Sequence, residues 1–114
     1  MALDNKIKLH INTNNNETIN IPKFSIQLLV ENAIKHGYQN KVLNIYIDIT
    51  DTTIKVTNDG KIIEIVKFGT GLSNLNTRLK LLHVGTLEHN ITDMMNFIIH
   101  ISPKKDKTNE NINS

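Results

Sequence analysis

The chain has no cysteine and no tryptophan, and only five of its 114 residues are aromatic. Without thiols there is no disulfide framework, no Cys-containing zinc site and no thiol chemistry. No apolar run approaches the ~20 residues a membrane helix needs. The segment Ile62 to Val66 is core-sized and carries Glu64 inside it. The amino terminus is polar by Asp4, unlike a signal peptide. Charge of one sign is also missing: thirteen basic residues face eleven acidic ones, for a net charge of +2. Three of the lysines, Lys104, Lys105 and Lys107, stand together near the carboxy terminus, and the rest are scattered. A basic stripe with interleaved aromatics, the footprint of nucleic-acid binding, is not present. Arg78 is the only arginine. The length accommodates one domain with one core, expected over residues 1–103 with a disordered tail at 104–114.

What is present is clear patterning. Lys6 to Ile11 alternate polar and apolar with the period of a half-buried strand. Asn12 to Asn16 is a turn cluster, and Thr18 to Ile21 is expected as a short return strand ended by Pro22. Over 23–36, Ile26, Leu29, Val30, Ala33 and Ile34 fall on one helical face. Ser25 is the expected N-cap and Gly37 the expected left-handed stop. Val42–Thr50 and Thr53–Val56 are β-branched, alternate, and are joined at Asp51–Thr52 as a hairpin. Asn58-Asp59-Gly60 is a turn, and Ile62 to Val66 a short strand or packed segment. A second helix is expected over 72–83, from Leu72, Leu75, Leu79 and Leu82, followed by strands Thr86–Ile91 and Asn96–Ile101. Two amphipathic helices among these strands make an α+β fold, a two-layer sandwich with a mixed sheet and both helices on one face.

Three groups of residues carry chemistry. On helix one, Glu31, Asn32, Lys35 and His36 gather on the polar side, with Asn32 and His36 neighbours at i,i+4. A solvated face with a Glu31–Lys35 ion pair accounts for this set equally well. Yet a carboxylate can orient or deprotonate a nucleophile, an Asn carbonyl is a hard oxygen ligand for Mg2+, and Lys and His can meet phosphate. Gly69-Thr70-Gly71 opens helix two, where backbone N–H groups can approach an anion; a flexible turn is the commoner meaning of such a pair. Asn58-Asp59-Gly60 alone is simply a turn. His10, His83, His89 and His100 lie in or near predicted strand and helix ends and read as surface or core histidines.

In combination and in this order the groups become specific. Ile21-Pro-Lys-Phe-Ser-Ile-Gln-Leu-Leu-Val-Glu-Asn-Ala-Ile-Lys-His-Gly37 resembles the N box of sensor histidine kinases, most closely the LytS/YehU-like branch. Gly69-Thr-Gly-Leu-Ser-Asn-Leu-Asn-Thr-Arg-Leu79 resembles the second glycine box of the same branch. The resemblance covers roughly residues 6 to 103. It implies the Bergerat ATP-binding (GHKL) fold and the catalytic domain of a two-component protein-histidine kinase, which passes the γ-phosphoryl group of ATP to a histidine on a separate segment.

Carried over by position, the resemblance makes Asn32 the Mg2+ ligand and Glu31 the catalytic acidic residue that helps activate the acceptor. Lys35 and His36 would approach phosphate or ribose. Gly69 and Gly71 would line the triphosphate, with Thr70 and Leu72 in the same nucleotide-binding set. Asn58, Asp59 and Gly60 would form the first glycine box, whose Asp in the family accepts from the adenine amino group. Counted from Val56, that Asp position holds Asn58; a one-residue slip would instead use Asp59 from the opposite strand face. The second glycine of the box is Ile62, and only Lys61 to Phe68 separates the two boxes, a short lid. Arg78 matches the family's arginine, with helix-surface pairing as an equal alternative.

No phosphoacceptor motif precedes the N box in this sequence, so that histidine is expected outside the chain, with a response regulator, of LytTR type in this branch, downstream. The resemblance places the domain in the cytoplasm as part of a membrane-anchored kinase, itself touching neither membrane nor nucleic acid. The competing classes are a GHKL-fold interaction module that no longer binds ATP productively, suggested by Asn58 and Ile62; an anti-sigma-factor kinase, disfavoured by the His36-Gly37 close of the N box and by Arg78-Leu79; and a small nucleic-acid binder, suggested by pI alone.

Overall fold

The computed structural model describes residues 6–16, 18–22, 24–39, 41–62 and 70–103. The elements are β1 (Ile7–Asn14), α1 (Ser25–Gly37), β2 (Leu43–Thr50), β3 (Thr53–Asn58), α2 (Thr70–Leu81), β4 (Gly85–Ile91) and β5 (Met95–Ile101). The strands form one mixed sheet in the order β1-β2-β3-β5-β4, with β1 parallel to β2 and every other pair antiparallel. The expected α+β two-layer architecture is borne out.

Strand register explains the layering. Partners across a ladder share a face. One row reads Leu9, Ile45, Asn58, Met95 and Ile91 across the five strands. The next reads Ile11, Ile47, Val56, Phe97 and His89, and the third Thr13, Ile49, Ile54, Ile99 and Leu87. These rows form the face on which α1 and α2 lie: α1 over β2 and β3, α2 over β4, and each helix against the other. Leu29 and Ala33 of α1 and Leu72, Leu75 and Leu79 of α2 join Ile45, Ile54, Val56, Phe97 and Ile99 in one buried cluster. Each fully buried Leu, Ile or Phe contributes about 1.5–3 kcal/mol of transfer free energy. Neither helix packs extensively on the edge strand β1, and Leu9 and Ile11 stay exposed although they share rows with core residues.

The opposite face is polar. Its central row is His10, Tyr46, Thr57, Asn96 and Asn90. Thr57 Oγ1 donates to Asn96 Oδ1 (2.7 Å), and Asn96 Nδ2 donates to Asn90 Oδ1 (3.0 Å) and Thr92 Oγ1 (3.1 Å). Asn96 is therefore buried with its polar atoms satisfied, as burial of an amide requires.

Several expectations are corrected. Thr18 to Ile21 forms no strand; the segment runs past the core edge with Ile19 and Ile21 packed against it. Ser25 is not the N-cap but the first residue of α1. The cap is Phe24, in the left-handed region (φ 65°) with no side-chain cap bond, and the Ser25 hydroxyl donates backward to the Pro22 carbonyl. Gly37 is not left-handed; it is the last helical residue, and close approach by Asn58 is what demands a glycine. β3 continues two residues further than expected, to Asn58. α2 begins earlier and ends earlier, leaving Leu82 and His83 in its terminal turn. Most of the Ile62–Val66 segment and all of the 104–114 tail lie outside the described residues.

Candidate functional site

The site is built along α1, between the end of β3, which meets the last residue of α1, and the start of α2, which meets its first turn. The chain leaves α1 at Gly37 and passes into β2; β3 then returns antiparallel to it, so that Asn58 arrives beside Gly37. The fit there is tight. A β-carbon on Gly37 would stand 2.6 Å from Asn58 Oδ1, and one on Gly60 would stand 2.1 Å from the Gly37 carbonyl oxygen. The Gly37 carbonyl accepts from Lys61 N–H (3.0 Å), laying the Asn58-Asp59-Gly60 turn across the end of α1. Gly60 thus serves the packing of this turn.

Asn58 and Asp59 separate to opposite sides. Asn58 is 2% exposed and is the one polar side chain of its helix-facing row. Its Oδ1 accepts from Gly60 N–H (3.0 Å). The Asp59 carboxylate accepts from Asn44 N–H (2.8 Å) and Asn44 Nδ2 (2.9 Å), while Asn44 Oδ1 accepts from His10 Nε2 (2.9 Å). His10 in turn stacks on Tyr46 at 4.7 Å. Asn44 alternates with the core residues Leu43 and Ile45, so this chain of contacts belongs to the helix-free face. Between the two registers left open by the sequence, the structure puts Asn58 on the helix side.

On α1, Asn32 is half-buried and Glu31, Lys35 and His36 are exposed. Glu31 Oε1 accepts from Gln27 Nε2 (3.0 Å), one turn back. Among the described residues no Glu31–Lys35 ion pair forms, so the bland account of this face lacks its expected salt bridge. On α2, Gly71 lies near Leu28 of α1, with a β-carbon position 3.8 Å from Leu28 Cδ2, and Leu72 is buried in the core. Gly69 and the side chain of Thr70 are outside the described residues. Arg78 is exposed in the last turn of α2, about 12 Å along the axis from its start, where a cation favours the helix dipole.

Along α1 the structure thus sets Asn58 against the last residue, Gly37, and the start of α2 against Leu28 near the first, with Glu31, Asn32, Lys35 and His36 at helix positions between them; Asp59 lies on the other face of the sheet and Arg78 at the far end of α2. A cleft of about 680 Å3 lies at the opposite pole of the sheet, lined by Asp51, Thr52, His83, Val84, Ile101 and Pro103, and holds none of these residues. Among the described residues no three His, Cys, Asp or Glu side chains cluster to hold a metal unaided. Asn32 alone offers a neutral oxygen, which fits a Mg2+ whose remaining positions are filled by phosphate and water.

Two features escaped the sequence. Gly37 cradles Asn58, although the glycine closing the N box was visible as a signal. His89 faces the helix layer beside Phe97 (ring centroids 4.7 Å apart), and its buried Nε2 has no partner among the described residues. Nothing in its neighbours predicted this.

Comparison with known proteins follows the same line. No family model matches the sequence. Sensor protein LytS of Staphylococcus epidermidis, from each of two strains, is 31% identical over 119 aligned positions that take in 82% of this chain. The chain spans only 20% of the length of those relatives. Among solved structures, the catalytic domain of histidine kinase ThkA superposes with a TM-score of 0.64 at 23% identity, covering 88% of this chain and 80% of that one. The cytoplasmic segment of histidine kinase QseC gives 0.65 at 15% identity, covering 90% and 66%. Histidine kinase AdeS of Acinetobacter baumannii gives 0.58 at 23% identity, covering 90% and 58%. The chain is thus similar to a part of LytS and has the fold of histidine kinase catalytic domains, as the N box implied.

Proposed function

We propose that this chain is the ATP-binding catalytic domain of a sensor histidine kinase, and that it presents a Mg2+-bound nucleotide to a phosphoacceptor histidine carried by another segment. The observation that carries this reading is the arrangement along α1: Asn58 buried against Gly37 at its end, Asn32 half-buried in its middle, and Gly71 of α2 beside Leu28 near its beginning. Similarity to a named sensor kinase over most of the chain supports it.

In this reading Asn58 meets the base edge, and the backbone N–H groups at the start of α2 meet the triphosphate, favoured by the helix dipole. Lys35 and His36 are placed to approach phosphate or ribose, and the Asn32 side-chain oxygen would take one position on Mg2+. The metal, when bound, neutralises phosphate charge. Glu31, oriented by Gln27, is available to accept the proton of the incoming imidazole. What the chain contributes is positioning and electrostatics. The acceptor histidine, a response regulator of LytTR type and a membrane anchor belong to this reading as partners and context beyond the described domain. Among the described residues no helix is long and apolar enough to cross a membrane.

One observation favours a second reading, a module of the same fold without productive ATP binding. The first glycine box carries Asn58 and an exposed Ile62 where the family has Asp and Gly. Calorimetry with Mg-ATP decides between them: saturable binding supports the kinase domain, and no heat at millimolar nucleotide supports the second reading.

A further inference from the structure

The amide of Asn58 has a fixed orientation. Its Oδ1 accepts from Gly60 N–H at 3.0 Å. The same oxygen is backed by the α-carbon of Gly37, on the side where another residue would carry its β-carbon: a β-carbon there would lie 2.6 Å away. A flipped amide would turn Nδ2 toward the Gly60 N–H, donor against donor, so the backbone selects one orientation. The remaining edge of the side chain is therefore Nδ2, a donor. No hydrogen bond from it forms within the described residues, and it is not sealed: the buried side-chain atom without a partner there is Nε2 of His89. Asp59 does not supply an acceptor in its place, since its carboxylate is held by Asn44 on the other face.

We propose that Asn58 turns the base preference of this site toward 6-oxopurine nucleotides. A carboxylate at this position would present a second oxygen, which accepts from a 6-amino group. Asn58 presents an N–H pair, which opposes the amino group of adenine and complements the carbonyl oxygen of hypoxanthine or guanine. The inference rests on the reading that the nucleotide base lies against Asn58. Leaving a buried donor opposite another donor forfeits a hydrogen bond, a difference of about tenfold in affinity.

The test is calorimetric titration of the chain with Mg-ATP, Mg-GTP and Mg-ITP, repeated with Asn58→Asp. ITP isolates the 6-position because it lacks the 2-amino group of guanine. The expected result is ITP binding about tenfold tighter than ATP in the parent, with GTP following ITP, and the order of ATP and ITP reversed by Asn58→Asp. The parent comparison stands even if the variant folds poorly. Tighter binding of ATP than of ITP by the parent overturns the inference and leaves the nucleotide site in place. An unchanged order in a folded Asn58→Asp also overturns it. Failure of all three nucleotides to bind overturns both the inference and the reading beneath it.

Discussion

Gly37, the last residue of α1, lies so close to the side chain of Asn58, the last residue of β3, that a β-carbon on it would stand 2.6 Å from the amide oxygen. The glycine is needed for space, not for a left-handed turn. Gly37→Ala must push Asn58 or the end of α1 aside, and overpacking of this kind costs about 1–3 kcal/mol. Denaturant unfolding should show that loss. In the fraction that still folds, nucleotide affinity should fall as well. An alanine variant as stable as the parent contradicts the account of this contact.

His83 closes α2 in the left-handed region, with φ 57°. Val84 N–H donates to the Leu79 carbonyl and His83 N–H to the Lys80 carbonyl, the bonding of a Schellman cap, where glycine is favoured. His83→Gly relieves the left-handed strain of a side-chain-bearing residue, and stability should rise by roughly 1 kcal/mol. Thermal unfolding checks it. A lower midpoint would show that the imidazole contributes more than its backbone costs.

Burial holds the His89 imidazole below the usual histidine pKa. The unfolded chain then binds a proton more readily than the folded one, so stability rises with pH across this window. Above the ordinary value of about 6.5 the effect is absent; as pH falls below it, stability is lost down to the depressed folded pKa. Unfolding measured at pH values on either side of that window should show a steeper acid loss in the parent than in His89→Leu. Equal pH dependence in the two proteins would contradict the assignment.

How far the sequence revealed this molecule depends on whether the deciding contact is local. Alternation in Lys6–Ile11 and Val42–Thr50 and the stripe of Leu29 and Ala33 repeat at fixed short spacings, and these elements form, although β1 runs on to Asn14 through part of the expected Asn12–Asn16 turn cluster. The N-box and glycine-box motifs likewise carried the fold. Nonlocal contacts were not legible. Thr18 to Ile21 has strand composition but no strand partner. Exposure of Leu9 and Ile11 follows from the parallel pairing of β1 at an edge beyond α1. Whether Asn58 or Asp59 faces the helices was settled by Asn44, fifteen residues from Asp59. The buried Nε2 of His89 depends on packing from β5 and the helix layer.

The claim that most of this rests on is that α1, between Asn58 and the start of α2, binds a Mg2+-nucleotide through Asn32. Calorimetric titration with purine nucleoside triphosphates, with Mg2+ and with a chelator, tests it directly in the parent and in Asn32→Ala. The account predicts saturable binding that Mg2+ strengthens in the parent, and loss of that metal-dependent increment in Asn32→Ala. Absence of binding at millimolar nucleotide, or an equal Mg2+ increment in both proteins, would contradict it.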